Sequence, residues 1–209
     1  MTDNDRLTEE KIFEAATEVF VDKGMDGARM QDIAIQAGIN KSLLHYYFRT
    51  KDHLFNAVFE MTCRKLLRKF APVFDENLSL EEKIRFFFRE HITFLQENPK
   101  LPAFIMNEIN RNPDRIKKLI KNIDIEKKWL ELFEQHRAEL EKYNITKESL
   151  PQVIISFAAI SVFPFAAKGI LEVFLEKTGT GFNRFIEERK SFAADFMIQA
   201  ITHNTDTGK

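Results

Sequence analysis

The four residues Ala37-Gly38-Ile39-Asn40 constrain this chain more than any other stretch, because they make two short helices meet at a tight turn. Upstream, Ile33, Ala34 and Ala37 recur at helical spacing and form one apolar stripe. Gly38 ends that helix, since glycine enters the left-handed cap conformation without steric penalty. Ile39 plugs the turn, and Asn40 is a good N-cap for a second helix beginning at Lys41. In that second helix Leu44 and Phe48 share a face, one turn apart, and pack back onto the first. Lys41, Ser42, His45 and Tyr46 take the other face. From Gly38 to Lys51 the chain carries Lys41, Arg49 and Lys51 and no carboxylate, a local +3 in a chain of formal net charge −1. A helix-turn-helix with a polar, cationic second helix has the shape and charge to enter a DNA major groove.

Lys51 adds a separate argument. Thr50 reads as the N-cap of the next helix, which puts Lys51 in its first turn. A cation there opposes the helix dipole, where an acidic residue is favoured by ~0.3–1 kcal/mol. A bound phosphate reverses that penalty, because helix N-termini and lysine both attract it. The alternative is a solvated lysine that tolerates the small cost.

The segment DIAIQAGINKSLLHYYFRTKDHLF resembles the DNA-binding domain of TetR-type (TetR/AcrR family) transcriptional regulators. The resemblance rests on Ile33-Ala34, Ala37-Gly38-Ile39, His45-Tyr46-Tyr47-Phe48, Thr50-Lys51-Asp52 and Leu54-Phe55. It covers the first sixty or so residues at motif level and the rest only in helical layout. Three departures stand out: Met30 where the family often has a capping Thr, Leu43 where a small or hydroxylated residue is common, and His45 in place of a tyrosine. The operator is therefore expected to differ from those of well-known relatives. The resemblance implies DNA contact through Gln31, Lys41, Ser42, Leu43, His45, Tyr46, Tyr47 and Lys51. Lys41, Ser42 and His45 would read bases, Leu43 would meet a thymine methyl, and Tyr46, Tyr47 and Lys51 would position on phosphate.

A chain of 209 residues allows one large or two small domains. Seven Gly and six Pro, with helical periodicity throughout, favour an all-α fold. The expected layout is a three-helix helix-turn-helix domain over 1–50 and a larger helical effector-binding and dimerisation domain over 51–209. No run of eighteen apolar residues exists, and the start, MTDNDRLTEEK, is acidic and polar, so neither a membrane span nor a signal peptide is expected. The single Cys63 excludes an intrachain disulfide and zinc spacing. A cytoplasmic protein fits. No glycine-rich phosphate loop, nucleophile elbow or metal motif is present, so neither an enzyme nor a cofactor is expected. The first 55 residues are slightly acidic, so DNA binding has to rest on a local patch.

In chain order, the first helix is expected to start at Thr8, bury Ile12, Phe13, Ala16, Val19 and Phe20, and end at Lys23-Gly24. Residues before it, Arg6 included, form an arm. A helix from Lys51 toward Phe70 links head and body, and Ser79-Leu80-Glu81-Glu82 is a capping box. Pro102 to Asn110 is short; Asp114 to Tyr143 is one longer stretch bent near Asn122. Gln152 to Leu175 is apolar nearly all round and kinked by Pro164, and Phe182 to Ile201 closes the fold before a frayed tail.

In TetR-type proteins the last two long helices pair with their copies. Residues 152–175 and 182–201 look like that pair, with Ile160, Phe163, Phe192, Phe196 and Met197 at the dimer interface. Two recognition helices would then read a palindromic double-stranded operator. Phenylalanine makes up 21 of 209 residues, and an apolar pocket for a small-molecule effector is expected among Phe87, Phe104, Phe133 and Phe157. His91, Asn107, Glu108 and His136 are candidate polar anchors for that effector, although such stripes also serve plain cores. A second reading keeps the same fold as a protein-interaction module with weak or no sequence-specific DNA binding.

Overall fold

The computed structural model describes residues 3–69, 71–74, 77–122 and 124–202, and every regular element among them is helical. The helices are α1 (Asp3–Gly27), α2 (Met30–Gln36), α3 (Lys41–Tyr47), α4 (Lys51–Lys69), α5 (Leu80–Glu97), α6 (Leu101–Arg111), α7 (Pro113–Asn122), α8 (Ile125–Gln135), α9 (Arg137–Lys142), α10 (Leu150–Ala166), α11 (Lys168–Thr178) and α12 (Phe182–Thr202). The chain forms two compact units. One is Met1–Lys65 with Ala103–Ile123, and the other is Leu66–Pro102 with Asp124–Lys209. The helix-turn-helix unit thus extends past residue 50 and takes in a distant segment.

In the first unit Ile12, Ala16, Phe20, Ile33, Ala34, Leu44 and Leu54 are fully buried. Phe55 joins this core from α4, edge-on to Phe20 with ring centroids 5.1 Å apart. The distant segment is fastened by polar contacts that periodicity does not reveal. Buried Glu108 accepts the Met25 N–H at 3.2 Å and the Asn112 amide at 3.2 Å. Arg111 pairs with Asp26 at 3.1 Å and Arg115 with Asp52 at 2.5 Å. A carboxylate buried in this way is stable because backbone and amide donors replace its water.

In the second unit the capping box forms as read: Glu82 N–H donates to Ser79 Oγ while Glu82 Oε2 accepts from Ser79 N–H at 2.9 Å. Ile84, Phe88, Ile92 and Leu95 of α5 share a core with Phe157 of α10 and Ile186, Ala193 and Met197 of α12. Small Ala193 and Ala194 are buried, as the close approach of two helices requires.

Several boundaries differ from the sequence reading. Helix α1 begins at Asp3 rather than Thr8, and the break read at Lys23-Gly24 is Gly24 itself at φ 67°. The Arg6 side chain and residues 203–209 lie outside the described residues. The stretch from Asp114 to Tyr143 is three helices, not one bent helix, interrupted at left-handed Asp124 and at His136. The helix expected over 152–175 is two, α10 and α11, which turn through 77° at Ala167. Pro164 has no N–H to give the Ile160 carbonyl, and Arg189 donates to it instead at 3.4 Å. Among the described residues no single helix is long and apolar enough to cross a membrane.

His91 is buried, with Nδ1 2.9 Å from Ser161 Oγ. Ser161 is also 2.7 Å from the Phe157 carbonyl, so the hydroxyl donates there and accepts the imidazole N–H. Desolvation pushes the His91 pKa down to about 4. The unfolded chain therefore takes up a proton near pH 6.5 that the folded chain refuses until about pH 4. The resulting stability is present above pH 6.5 and is lost as pH falls toward 4, at up to about 1.4 kcal/mol per pH unit. Urea unfolding at pH 7.5 and pH 5 is expected to show wild type losing about 1–2 kcal/mol more than His91→Gln.

Candidate nucleic-acid interface

The turn between α2 and α3 is built from backbone hydrogen bonds. Ile39 N–H reaches back to the Ala34 carbonyl at 3.0 Å and Gly38 N–H to the Ile35 carbonyl at 3.1 Å, the paired bonds of a Schellman motif. Gly38 takes φ 67°, the left-handed conformation that closes this pair. The Asn40 side chain then accepts the Leu43 N–H at 2.7 Å and starts α3. Leu44 is fully buried, and Phe48 is buried edge-on to Phe13 at 5.5 Å. Both ends of a seven-residue helix are thereby fixed, although a helix this short has little stability of its own.

The outward face carries the expected side chains. Gln31, Lys41, Ser42, His45 and Tyr46 are exposed, Tyr46 at 80%, while Leu43 is half-buried. His45 Nδ1 lies 3.4 Å from the Arg49 carbonyl, so the tautomer that donates there leaves Nε2 as an outward acceptor. At the start of α2 the N-cap is Arg29, extended and without a side-chain cap bond, so Met30 is the first helical residue and not the capping position expected of it. Lys23 pairs with Asp32 at 2.6 Å in the first turn of α2 and holds that carboxyl below its usual range.

Two of the expected phosphate contacts have partners within the chain. Tyr47 is half-buried and donates its hydroxyl to Asp5 at 3.0 Å. Desolvation first, and then the Asp5 carboxylate, raise its pKa, so the phenol keeps its proton. Lys51 is half-buried, and its ammonium donates to the carbonyls of Ala28 at 3.0 Å and Asp26 at 3.3 Å. It ties the α1–α2 turn to the first turn of α4, whose N–H of His53 is capped by Thr50 Oγ1 at 3.1 Å. An ammonium has three N–H groups, so one remains for an outside acceptor. The dipole penalty of a first-turn lysine thus has an internal compensation that the sequence does not display.

Residues 103–123 also change the charge of this unit. They bring Arg111, Arg115, Lys117, Lys118 and Lys121 against Glu108 and Asp114, which offsets the acidic balance of residues 1–65.

The expected effector residues separate into two groups. Phe87, Phe133, Phe157 and His136 line a cavity of about 60 Å³ in the second unit, together with Lys83 and Trp129. His91 is spent on Ser161 and is not in the cavity wall. Phe104, Asn107 and Glu108 belong to the first unit: Phe104 packs on Phe55, Glu108 holds the α1–α2 turn, and Asn107 is exposed. Lys83 and Trp129 were missed as lining residues. Lys83 follows Leu80 by three positions and precedes Phe87 by four, a charge on an apolar stripe, and that signal was readable. Of the expected interface residues, Phe163, Phe192 and Phe196 are exposed at 67%, 57% and 53%. Ile160 is half-buried, whereas Met197 lies in the core.

Residues 12–58 match the family model described as bacterial regulatory proteins, tetR family. The chain is 22% identical over 162 residues to YttP of Bacillus subtilis (strain 168), which is named a probable HTH-type transcriptional regulator; the match covers 76% of this chain and 77% of that one. It is 21% identical over 113 residues to the fatty acid metabolism regulator protein of the same organism, covering 54% of this chain and 58% of the relative. The crystal structure of the transcriptional regulator FadR from Bacillus subtilis in complex with stearoyl-CoA shares the fold, with TM-score 0.63 at 14% identity over 88% of this chain and 96% of that one.

Lys51→Ala is expected to weaken binding to all duplexes alike and to lower the slope of log K against log salt concentration by about one. It also lowers the melting temperature, because the Asp26 and Ala28 carbonyls lose their donor. A variant with unchanged salt slope and altered sequence preference would place Lys51 at the bases. Gly38→Ala meets no neighbour within 4 Å, yet is expected to cost about 1–2 kcal/mol, because alanine resists φ 67°.

Proposed function

We propose that this chain, which belongs to the TetR family of bacterial regulatory proteins, binds a palindromic operator as a homodimer and releases it when a small, largely apolar effector enters the second unit. The observation that carries DNA binding is the exposed, acid-free face of α3, held at both ends by the Gly38 turn and the Phe48 anchor. Lys41, Ser42 and His45 read bases, Leu43 meets a thymine methyl at its exposed edge, and Gln31, Tyr46 and Lys51 position on phosphate. Tyr47 joins them only by trading its bond to Asp5.

The dimer reading is supported by exposed Ile155, Phe163, Ile170, Phe174, Phe192 and Phe196 on α10, α11 and α12. Phe192 and Phe196 stack at 6.2 Å with an interplanar angle of 13°, a flat apolar ridge of the kind that marks an interaction site. The effector reading is supported by the apolar cavity between α5, α8 and α10 and by the fold shared with a regulator that holds stearoyl-CoA. Pockets that enclose drug-sized ligands run to ~300–1,000 Å³, so a cavity of about 60 Å³ has to open on binding. An effector that prefers the open state by ~1–3 kcal/mol changes DNA affinity roughly 5–150-fold.

Fluorescence anisotropy against random duplex at low salt, followed by selection from a random pool, tests this reading. Salt-sensitive binding at micromolar protein and a palindromic consensus are expected. Absence of salt-sensitive binding overturns it in favour of a protein-interaction module. Phe163→Asp with Phe196→Asp is expected to give a monomer by sedimentation with at least tenfold weaker operator binding; a variant that stays dimeric refutes this interface.

A further inference from the structure

Helix α7, the last of the first unit, carries more charge than its packing needs. It holds Arg115, Lys117, Lys118 and Lys121 against Asp114 alone, a local +3 within one short helix. Ile116 commits its inner side and is 4% exposed. Lys117, Lys118 and Lys121 are all exposed. Lys117 keeps a loose pair with Asp114 at 3.6 Å, and a pair so open to water contributes little. Lys118 and Lys121 repel across one helical turn, as do Lys117 and Lys121, at ~0.2–0.5 kcal/mol for each pair. The helix is therefore less stable for this face, which points to a partner of opposite charge.

The start of α7 is fixed beside the residue already read as a phosphate contact. Asp26 is shared: its carbonyl accepts from Lys51 at 3.3 Å and its carboxylate from Arg111 at 3.1 Å. Arg115 pairs at 2.5 Å with Asp52, the residue after Lys51, and lies 5.3 Å over the Phe55 ring. Arg111 and Arg115 thus neutralise two carboxylates that would repel a phosphate at Lys51. From Arg115 the cations continue along α7 at steps of three, through Lys118 to Lys121.

We infer that α7 is a second DNA-contacting element, in which Lys118 and Lys121 meet backbone phosphates flanking the groove that α3 enters. The inference rests on the reading of α3 as the groove-entering helix and extends the footprint beyond the helix-turn-helix. A helix of this length runs ~15 Å, and a duplex presents one charge per ~1.7 Å of its axis, so lysines along its side meet phosphate whatever the sequence. A flexible point charge suits contacts of that kind. Residues 1–65 are acidic in balance, so the patch on α3 attracts DNA only locally, and α7 supplies cations that the rest of the unit lacks. An acidic protein surface is the other occupant of a cationic helix. Bracing of α7 to the first turn of α4, where Lys51 has a donor left for phosphate, favours DNA.

Lys118→Ala with Lys121→Ala removes two exposed charges and leaves Arg111, Arg115 and their carboxylates in place. Lys127→Ala with Lys142→Ala, two exposed lysines of the second unit, is the control of equal charge. The full chains are titrated by anisotropy against random duplex and against the selected operator, over a range of salt concentrations. The α7 variant is expected to lower the slope of log K against log salt by about two for each bound chain, and to bind about tenfold weaker at low salt. Its ratio of operator to random binding stays that of wild type, and the control keeps the wild-type slope. An unchanged slope in the α7 variant overturns the inference and leaves α7 as a solvated face or a site for an acidic protein. An equal fall in the control also overturns it, by reducing the effect to net charge, as does a changed operator preference, since phosphate contacts carry no sequence information. Lys118→Gln with Lys121→Gln repeats the measurement should the alanine pair fail to fold. Wild type keeps the two readings apart: no salt-sensitive binding sinks the DNA reading itself, whereas salt-sensitive binding that ignores the α7 changes sinks this inference alone.

Discussion

The angle between α2 and α3 depends on one residue entering the left-handed region. Gly38 at φ 67° lets the Ile39 and Gly38 amides bond back to Ala34 and Ile35, and that pair of bonds sets the angle at which α3 leaves α2. A seven-residue helix cannot hold itself together in water. It persists here because Asn40 caps its start, Leu44 is buried along its length, and Phe48 anchors the chain just beyond its end. With its inner side committed, the outer side is free to be polar throughout, and Lys41, Ser42, His45 and Tyr46 occupy it without an acid among them.

The supporting frame comes from unexpected places. Lys51 clips two carbonyls of the α1–α2 turn, and Glu108, from a segment more than eighty residues away, accepts the Met25 amide of that turn. Half-buried Lys51 thereby ties the turn to α4, and buried Glu108, whose lost water is replaced by the Met25 and Asn112 donors, ties it to α6. The same α6–α7 segment supplies cations to a unit whose first 65 residues are acidic. Changes in α6 therefore act on both the geometry and the field of the DNA-binding unit.

The second unit shows the opposite economy. Its core is a conventional stack of α5, α10 and α12, with His91 kept neutral by burial and satisfied by Ser161. What departs from a conventional core is the run of exposed aromatics on α10–α12. That run is a penalty for an isolated chain and an advantage for one that meets a second copy.

The sequence by itself determined the all-α class, the Gly38 turn, the Asn40, Thr50 and Ser79 caps, and the polar face of α3. These are local features, set by one residue's conformational freedom or by side chains one helical turn apart. Tertiary structure decided the rest. It assigned Phe104, Asn107 and Glu108 to the first unit and gave Lys51 and Tyr47 partners inside the chain. It also split the stretches 114–143 and 152–175 at Asp124, His136 and Ala167. The physical reason is range. Periodicity reports which side of a helix is apolar, but not which distant surface that side meets, nor which backbone carbonyl a long cation will find.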